Sequence, residues 1–263
     1  MTGKVRIKSI ALPVEHGGWG FLFEPILLAF IIVPSLAGLC VAVSAVAMFL
    51  LRHPLKIYLR GSGSLVDSPR RRVAFVVCGV YGVVALAGIT GCIGLAGPRP
   101  LAPFVILSPF AGVYLFYDTK KQSRKLIAEL AGPFGLAGVA TGIALAGGWS
   151  WGPAVALWVV VMARTIPSIF YVRARLRLES GRPLDRGFVF VIHLLCALVV
   201  IVLIRWGMAP AMTLAAFGLL WVRALHGLSR FRRPSKAVRI GFQEIAYGLA
   251  YVVWVAIGYR VGL

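Results

Sequence analysis

Twenty-five of the 28 Lys and Arg residues lie in alternate gaps between long apolar runs, and only Arg99, Arg205 and Arg260 lie near the other gaps. A bilayer sorts basic residues in this way, because loops rich in Lys and Arg stay on the cytoplasmic side. Few soluble folds would produce the pattern. The apolar share of 60% against a charged share of 14% agrees, since a soluble domain of 263 residues needs more polar surface than this.

A membrane helix needs about 20 mostly apolar residues to cross a hydrocarbon core of about 30 Å. Nine segments qualify, at roughly 18–35, 36–52, 73–96, 101–117, 127–147, 151–171, 187–205, 207–225 and 240–260. The runs are continuous and do not alternate in twos, which excludes a lipid-facing β-barrel and leaves helices that satisfy their own backbone. Pro34-Ser35 is the only turn signal between the first two. The expected fold is an all-α polytopic membrane protein of nine transmembrane helices, with a cytoplasmic N-terminus and an external C-terminus. It forms one domain over 1–263, of which 1–17 is a cytoplasmic N-terminal tail.

The basic clusters lie in the N-terminal tail and at the ends of spans 2, 4, 6 and 8. Seven of the eight acids share that face: Glu15, Asp67, Asp118, Glu129, Glu179, Asp185 and Glu244. The eighth, Glu24, lies about one turn inside span 1. One bare face and one charged face imply a cavity open to the cytoplasm that handles an anionic head, and basic loops that attract anionic lipids of the bilayer. A net charge of +20 does not point to nucleic acid here, because the cations follow membrane topology. Cys40, Cys78, Cys92 and Cys196 all fall inside spans with no Cys-x-x-Cys spacing, so they read as packing residues.

Candidate chemistry lies at the span ends. Glu15 and His16 open span 1; such a pair can transfer protons or simply cap the helix. Glu24, beside Pro25, and Arg164 are charges at membrane depth and require a partner or a cavity. Arg52, Lys56 and Arg60 stand at i, i+4 and i+8 and share one face if the helix passes Pro54. That row suits an anion, or serves only as a solvated topogenic cluster. Lys120 and Lys121 join spans 4 and 5, with Glu129 at the start of the next. Tyr171, Arg173 and Arg175 end span 6; as a helical extension, Tyr171, Arg175 and Glu179 share a face. Glu244 enters span 9 as a counter-charge for one of the arginines. His193 and His226 have no metal-ligand spacing and read as packing or interfacial residues. The carboxylates and His16 are the candidates for catalysis or orientation. The basic residues and Tyr171 are the candidates for substrate binding, and no metal site is expected.

The stretch Pro13-x-Glu15-His16-Gly17-x-Trp19 resembles the opening signature of the YwiC-like family of bacterial integral membrane proteins. Tyr171-Val172-Arg173-Ala174-Arg175 and Gly241-Phe242-Gln243-Glu244 look like its later blocks. This resemblance implies a multi-pass protein of the bacterial inner membrane and brings no established activity. In span count, orientation and long-loop positions the chain is also similar to UbiA-type membrane prenyltransferases, and Tyr117-Asp118-Thr119-Lys120-Lys121 looks like the turn that joins their helices 4 and 5. That resemblance implies transfer from an isoprenoid diphosphate held by Mg²⁺ between two Asp-rich motifs. Here Arg52, Lys56 and Arg60 stand in place of the first motif, and Tyr171, Arg175 and Glu179 in place of the second. The acids that would hold Mg²⁺ are mostly replaced, so no cofactor is expected.

Three readings follow. The first is a transferase-like enzyme or binder of an isoprenoid diphosphate or similar anionic amphiphile at a basic cytoplasmic-facing cavity. The second is a small-anion transporter built on Glu24 and Arg164. The third is an accessory or assembly protein without catalysis. Oligomeric state is not encoded in any of these features.

Overall fold

The computed structural model describes residues 6–12, 16–60 and 69–262; the side chains of His16, Gly17 and Arg60 fall outside the described set. Among the described residues there is no strand. The elements are a short α1 (Lys8–Ala11), then α2 (His16–Ile32), α3 (Leu36–Arg60), α4 (Pro69–Ala96), α5 (Ala102–Thr119), α6 (Leu126–Ala146), α7 (Trp151–Glu179), α8 (Arg186–Arg205), α9 (Met212–Leu228) and α10 (Ala237–Val261). Among the described residues seven helices are long and apolar enough to cross a membrane, and two shorter apolar helices occupy Gly18–Ile32 and Met212–Leu228.

Prolines sit inside α2, α3, α5, α6 and α7 without ending them. Apolar surroundings favour this, because a helix is the conformation that leaves fewest backbone groups unpaired in lipid. Helix α3 therefore continues through Pro54 to Arg60, and α7 continues through the alternating Arg173, Arg175 and Arg177 to Glu179. Turns are set by residues that tolerate a left-handed backbone, such as Gly148 at φ +90° after α6 and Gly181 at φ +67° after α7.

Helices α6 and α7 form the centre, with 56% and 67% of their apolar windows buried against 17% for α4 and 11% for α5. Small residues make α6 central. Methyl groups at Gly132, Gly138 and Gly142 would collide with Tyr114, Leu107 and Phe104, so these glycines let α5 lie close along α6. Helix α2 packs on α6 and α10, and α9 lies beside α7, α8 and α10.

At 29 residues, α7 is about 43 Å long, well beyond the ~30 Å of hydrocarbon. If it enters at Trp151, its last two turns reach past the hydrocarbon. The same end of the bundle gathers the ends of α3, α5, α6, α9 and α10. Lys56 of α3 pairs with Asp118 of α5 at 2.6 Å, and Arg173 of α7 pairs with Glu129 of α6. At the opposite end Arg260 donates from Nε to the Ile31 carbonyl at 2.8 Å, satisfying a carbonyl of the last turn of α2.

Candidate functional site

Down one face of α7 run Arg164, Ser168, Tyr171, Arg175 and Glu179, spaced by four, three, four and four residues. This is helical face spacing, and it places a polar stripe on the most buried helix of the bundle. Its members meet partners from α2, α9, α10 or the loop between α9 and α10.

The stripe begins deep in the bundle. Arg164, 3% exposed, pairs through Nη2 with Glu24 Oε1 of α2 at 3.0 Å. The same nitrogen donates to the Glu244 carbonyl of α10 at 2.9 Å. Gly248 leaves the space for this pair: a Cβ there would sit 2.5 Å from Arg164 Nη2 and would overlap the Glu24 carboxyl. One turn further along α7, the Ser168 hydroxyl donates to the Arg164 carbonyl at 2.9 Å and accepts from Arg223 Nη1 of α9 at 3.2 Å. Arg223 Nη1 also donates to Glu244 Oε2 at 2.6 Å. Glu244 thus holds both buried arginines, one by its carboxylate and one by its main-chain carbonyl. Two acids and two arginines lie together in a low-dielectric interior where lone charges are costly.

Above this network lies a cavity of about 340 Å³. Its lining includes Tyr171 and Arg175 of α7, Arg223 and His226 of α9, and Arg232, Arg233 and Ser235 of the connecting loop. Arg239, Gln243 and Tyr247, one turn apart along α10, complete it with Gly227. Arg223 is its most deeply buried arginine, at 3% exposure against 5% for Arg175. The guanidinium lies 4.3 Å from the Tyr171 ring centroid and 5.7 Å from that of Tyr247, so both aromatic faces fix its plane. Its Nε and Nη2 are buried and have no hydrogen-bond partner among the described residues.

Arg175 is instead fully engaged. It donates to the carbonyls of Gly227 and of Arg233, the latter at 2.6 Å, and pairs with Glu179 at 3.0 Å. Gly227 belongs to the last turn of α9, whose carbonyls lack helical partners, so Arg175 stitches α7 to the end of α9 and to the loop that follows. Arg232 approaches Glu179 at 3.6 Å from the same loop.

The other residues expected to act lie elsewhere. Arg52 donates to the Tyr114 hydroxyl and lies 4.9 Å from that ring's centroid, while Lys56 is held by Asp118. Their row on α3 faces α5 and is not part of the cavity lining, so the basic residues after spans 2 and 6 do not come together there. Continuity of α3 through Pro54 turns this row toward α5. Lys120 and Lys121 are exposed in the turn after α5, the former 4.2 Å from the Phe116 ring centroid. Arg173 is tied to Glu129 and to the Arg124 carbonyl. Glu15, and the side chains of His16 and Arg60, lie outside the described residues. Of the expected set, Glu24, Arg164, Tyr171, Arg175 and Glu244 come together in one connected group.

Arg223, Arg232, Arg233, Arg239, His226 and Tyr247 were not singled out from sequence. Their arginines serve there as topology markers, and His226 reads as packing or interfacial, whereas it is exposed on the cavity lining. One signal was available: Arg223 falls within the apolar run at 207–225 just as Arg164 falls within its own, and both are charges that demand partners. His193 is fully buried, its Nδ1 at 2.8 Å from the Val189 carbonyl and its ring against Phe217 and Trp221, as a packing residue would be.

These features define an all-helical multi-pass membrane protein with an arginine-lined cavity at one end of its bundle. The family model described as YwiC-like protein matches residues 12–144, which is half of the chain and covers α2 to α6. The chain belongs to the YwiC-like family. No curated protein and no solved structure matches it. The cavity's lining residues, between 171 and 247, fall after the matched segment.

Proposed function

We propose that this protein binds the head of an anionic amphiphile, of which an isoprenoid diphosphate is one candidate, in the cavity between α7, α9 and α10. The observation that carries the reading is Arg223: a buried guanidinium on the cavity lining with two donors unpartnered. Arginine is the side chain best matched to phosphate and carboxylate oxygens. The exposed Arg233 and Arg239 add a positive field that draws anions toward it. Amphiphile is favoured over a small free anion because large apolar side chains alternate with the lining residues. Leu225, Phe231, Val238 and Phe242, each more than half exposed, neighbour His226, Arg232, Arg239 and Gln243 in sequence. A head in the cavity would leave its tail among them.

In this reading the two shorter helices also cross the membrane, giving nine spans in one domain. The N-terminus is then cytoplasmic by the distribution of Lys and Arg, and the cavity faces the cytoplasm of a bacterial inner membrane. Glu24, Glu244 and Tyr171 position the arginines rather than touch the ligand, and Arg175 holds the cavity wall. A UbiA-like transfer reaction is the enzymatic form of this proposal; Glu15, His16 and Glu129 are then the remaining candidate acids and bases, with Mg²⁺ supplied or dispensed with. The test is titration of labelled isoprenoid diphosphates and other anionic amphiphiles onto protein in nanodiscs, with aromatic acceptors added, with and without Mg²⁺. Saturable binding that Arg223→Gln abolishes supports the reading, and product formation would extend it to transfer. No saturable binding across the set ends it.

One observation favours a second reading, a small-anion transporter. The polar chain continues from Arg223 through Glu244 to the Glu24–Arg164 pair in mid-helix. Liposome flux of a small anion that Glu24→Gln abolishes would place transport ahead of binding.

A further inference from the structure

The edge of Arg223 carries more information than its charge. In a guanidinium, Nε and Nη2 lie on one side and point their N–H groups in parallel, which is the fork that grips two oxygens of one oxyanion. That fork is the unpartnered part of Arg223, while Nη1 is spent on Glu244 and Ser168. Tyr171 and Tyr247 hold the plane, so little ordering is left for the ligand to bring about.

Charge sets the class of head. Among the described residues five arginines line the cavity, and two carboxylates, Glu179 and Glu244, pair with its arginines, which leaves three positive charges uncompensated within that set. A carboxylate or a phosphodiester carries one negative charge and would leave two of these opposed only by each other. A phosphate monoester brings about two, and a diphosphate more. No carboxylate is among the described lining residues, so among these neutralising the head falls to guanidinium groups, and the oxygen-rich ligand set that Mg²⁺ prefers is poorly represented there.

Resting on the binding reading above, we propose that the head is a phosphate monoester or diphosphate, recognised by the Arg223 fork together with Arg232, Arg233 and Arg239, and bound without a bridging metal ion. The lining thus discriminates by charge number as well as by shape.

The experiment measures binding to the full-length protein in nanodiscs of a decyl series sharing one tail: decanoate, methyl decyl phosphate, decyl phosphate and decyl diphosphate. Each is measured with EDTA and with Mg²⁺. Decyl phosphate and decyl diphosphate are expected to bind at least about tenfold more tightly than the two monoanions, with EDTA leaving that preference in place. Arg223→Lys, which keeps the charge beside Glu244 and removes the fork, is expected to weaken binding of all four members while leaving the dianions preferred. Arg239→Gln at the exposed rim, which removes one uncompensated charge, is expected to shrink the preference and make the salt dependence shallower, and it serves as the test should Arg223→Lys fail to fold. Equal affinity across the series, or binding that EDTA abolishes, overturns the proposal. Absence of binding by every member removes the broader reading with it, so the two failures are distinct. Inorganic phosphate that competes as well as decyl phosphate would keep the phosphate class and overturn the amphiphile as its source.

Discussion

Glu24 of α2 and Arg164 of α7 meet at 3.0 Å in space that the missing side chain of Gly248 leaves open on α10. Three helices are thus locked by one ion pair and one glycine. Removing one partner strands a buried charge, at a cost of about 3–5 kcal/mol, whereas replacing both with apolar residues is often close to neutral. We expect Glu24→Leu and Arg164→Leu to destabilise strongly as single variants, and the double variant to recover much of the loss. Unfolding in mixed micelles, analysed as a double-mutant cycle, checks it; additive losses would contradict the coupling. Gly248→Ala is expected to cost about 1–3 kcal/mol by overpacking the same place.

Tyr171 lies so close over Gly227 that a methyl group there would overlap its hydroxyl and ring. Gly227→Ala is therefore expected to push Tyr171 off Arg223 and weaken anion binding severalfold, while Tyr171→Phe keeps the ring and costs far less. Affinity for decyl phosphate in both variants provides the comparison. Equal losses would show that the hydroxyl, rather than ring position, matters.

The pairs away from the cavity should behave differently. Arg173 and Glu129 have side chains roughly one-third exposed, and pairs so placed are usually worth about 0.2–1 kcal/mol. Arg173→Ala and Lys56→Ala are expected to leave anion affinity within about twofold of wild type, a difference under about 0.5 kcal/mol. A large loss of binding in either would mean that the ligand site extends to α3 or α6.

Orientation is open to direct measurement. In a cysteine-free background, single cysteines at Ser123, Ser180 and Ser235 are expected to react with an impermeant thiol reagent from the cytoplasmic side only. Cysteines at Ser150 and Gly207 should react from the outside only. Labelling of Ser123 and Ser180 from opposite sides would contradict both the orientation and the shared basic end.

Much of the architecture was legible in order. Apolar runs long enough to span lipid can satisfy their backbone only as helices, so the helical class, the approximate segments and the grouping of cations followed from the chain alone. Interior prolines were harder to read: Pro54 looked like a break, yet α3 passes through it, because apolar surroundings penalise an exposed backbone more than one lost hydrogen bond. Demands for partners were legible too. Arg164 in an apolar run required a carboxylate, and Glu244 required a cation.

Which partner each one found was decided in three dimensions. Glu24 and Arg164 are 140 positions apart, as the residue numbers state, and no local pattern links them. The same holds for Arg175 and the carbonyls of the loop after α9, and for the turning of Arg52 and Lys56 toward α5. The chain by itself determined that this protein lives in lipid, which segments are helical and where its charges collect, because these depend on local hydropathy and on backbone hydrogen bonding. Only the tertiary structure decided that α7, α9 and α10 enclose the arginines while α3 does not. Helix rotation and crossing are set by how small residues such as Gly132, Gly227 and Gly248 let neighbours approach, and that is a property of packed pairs rather than of any one segment.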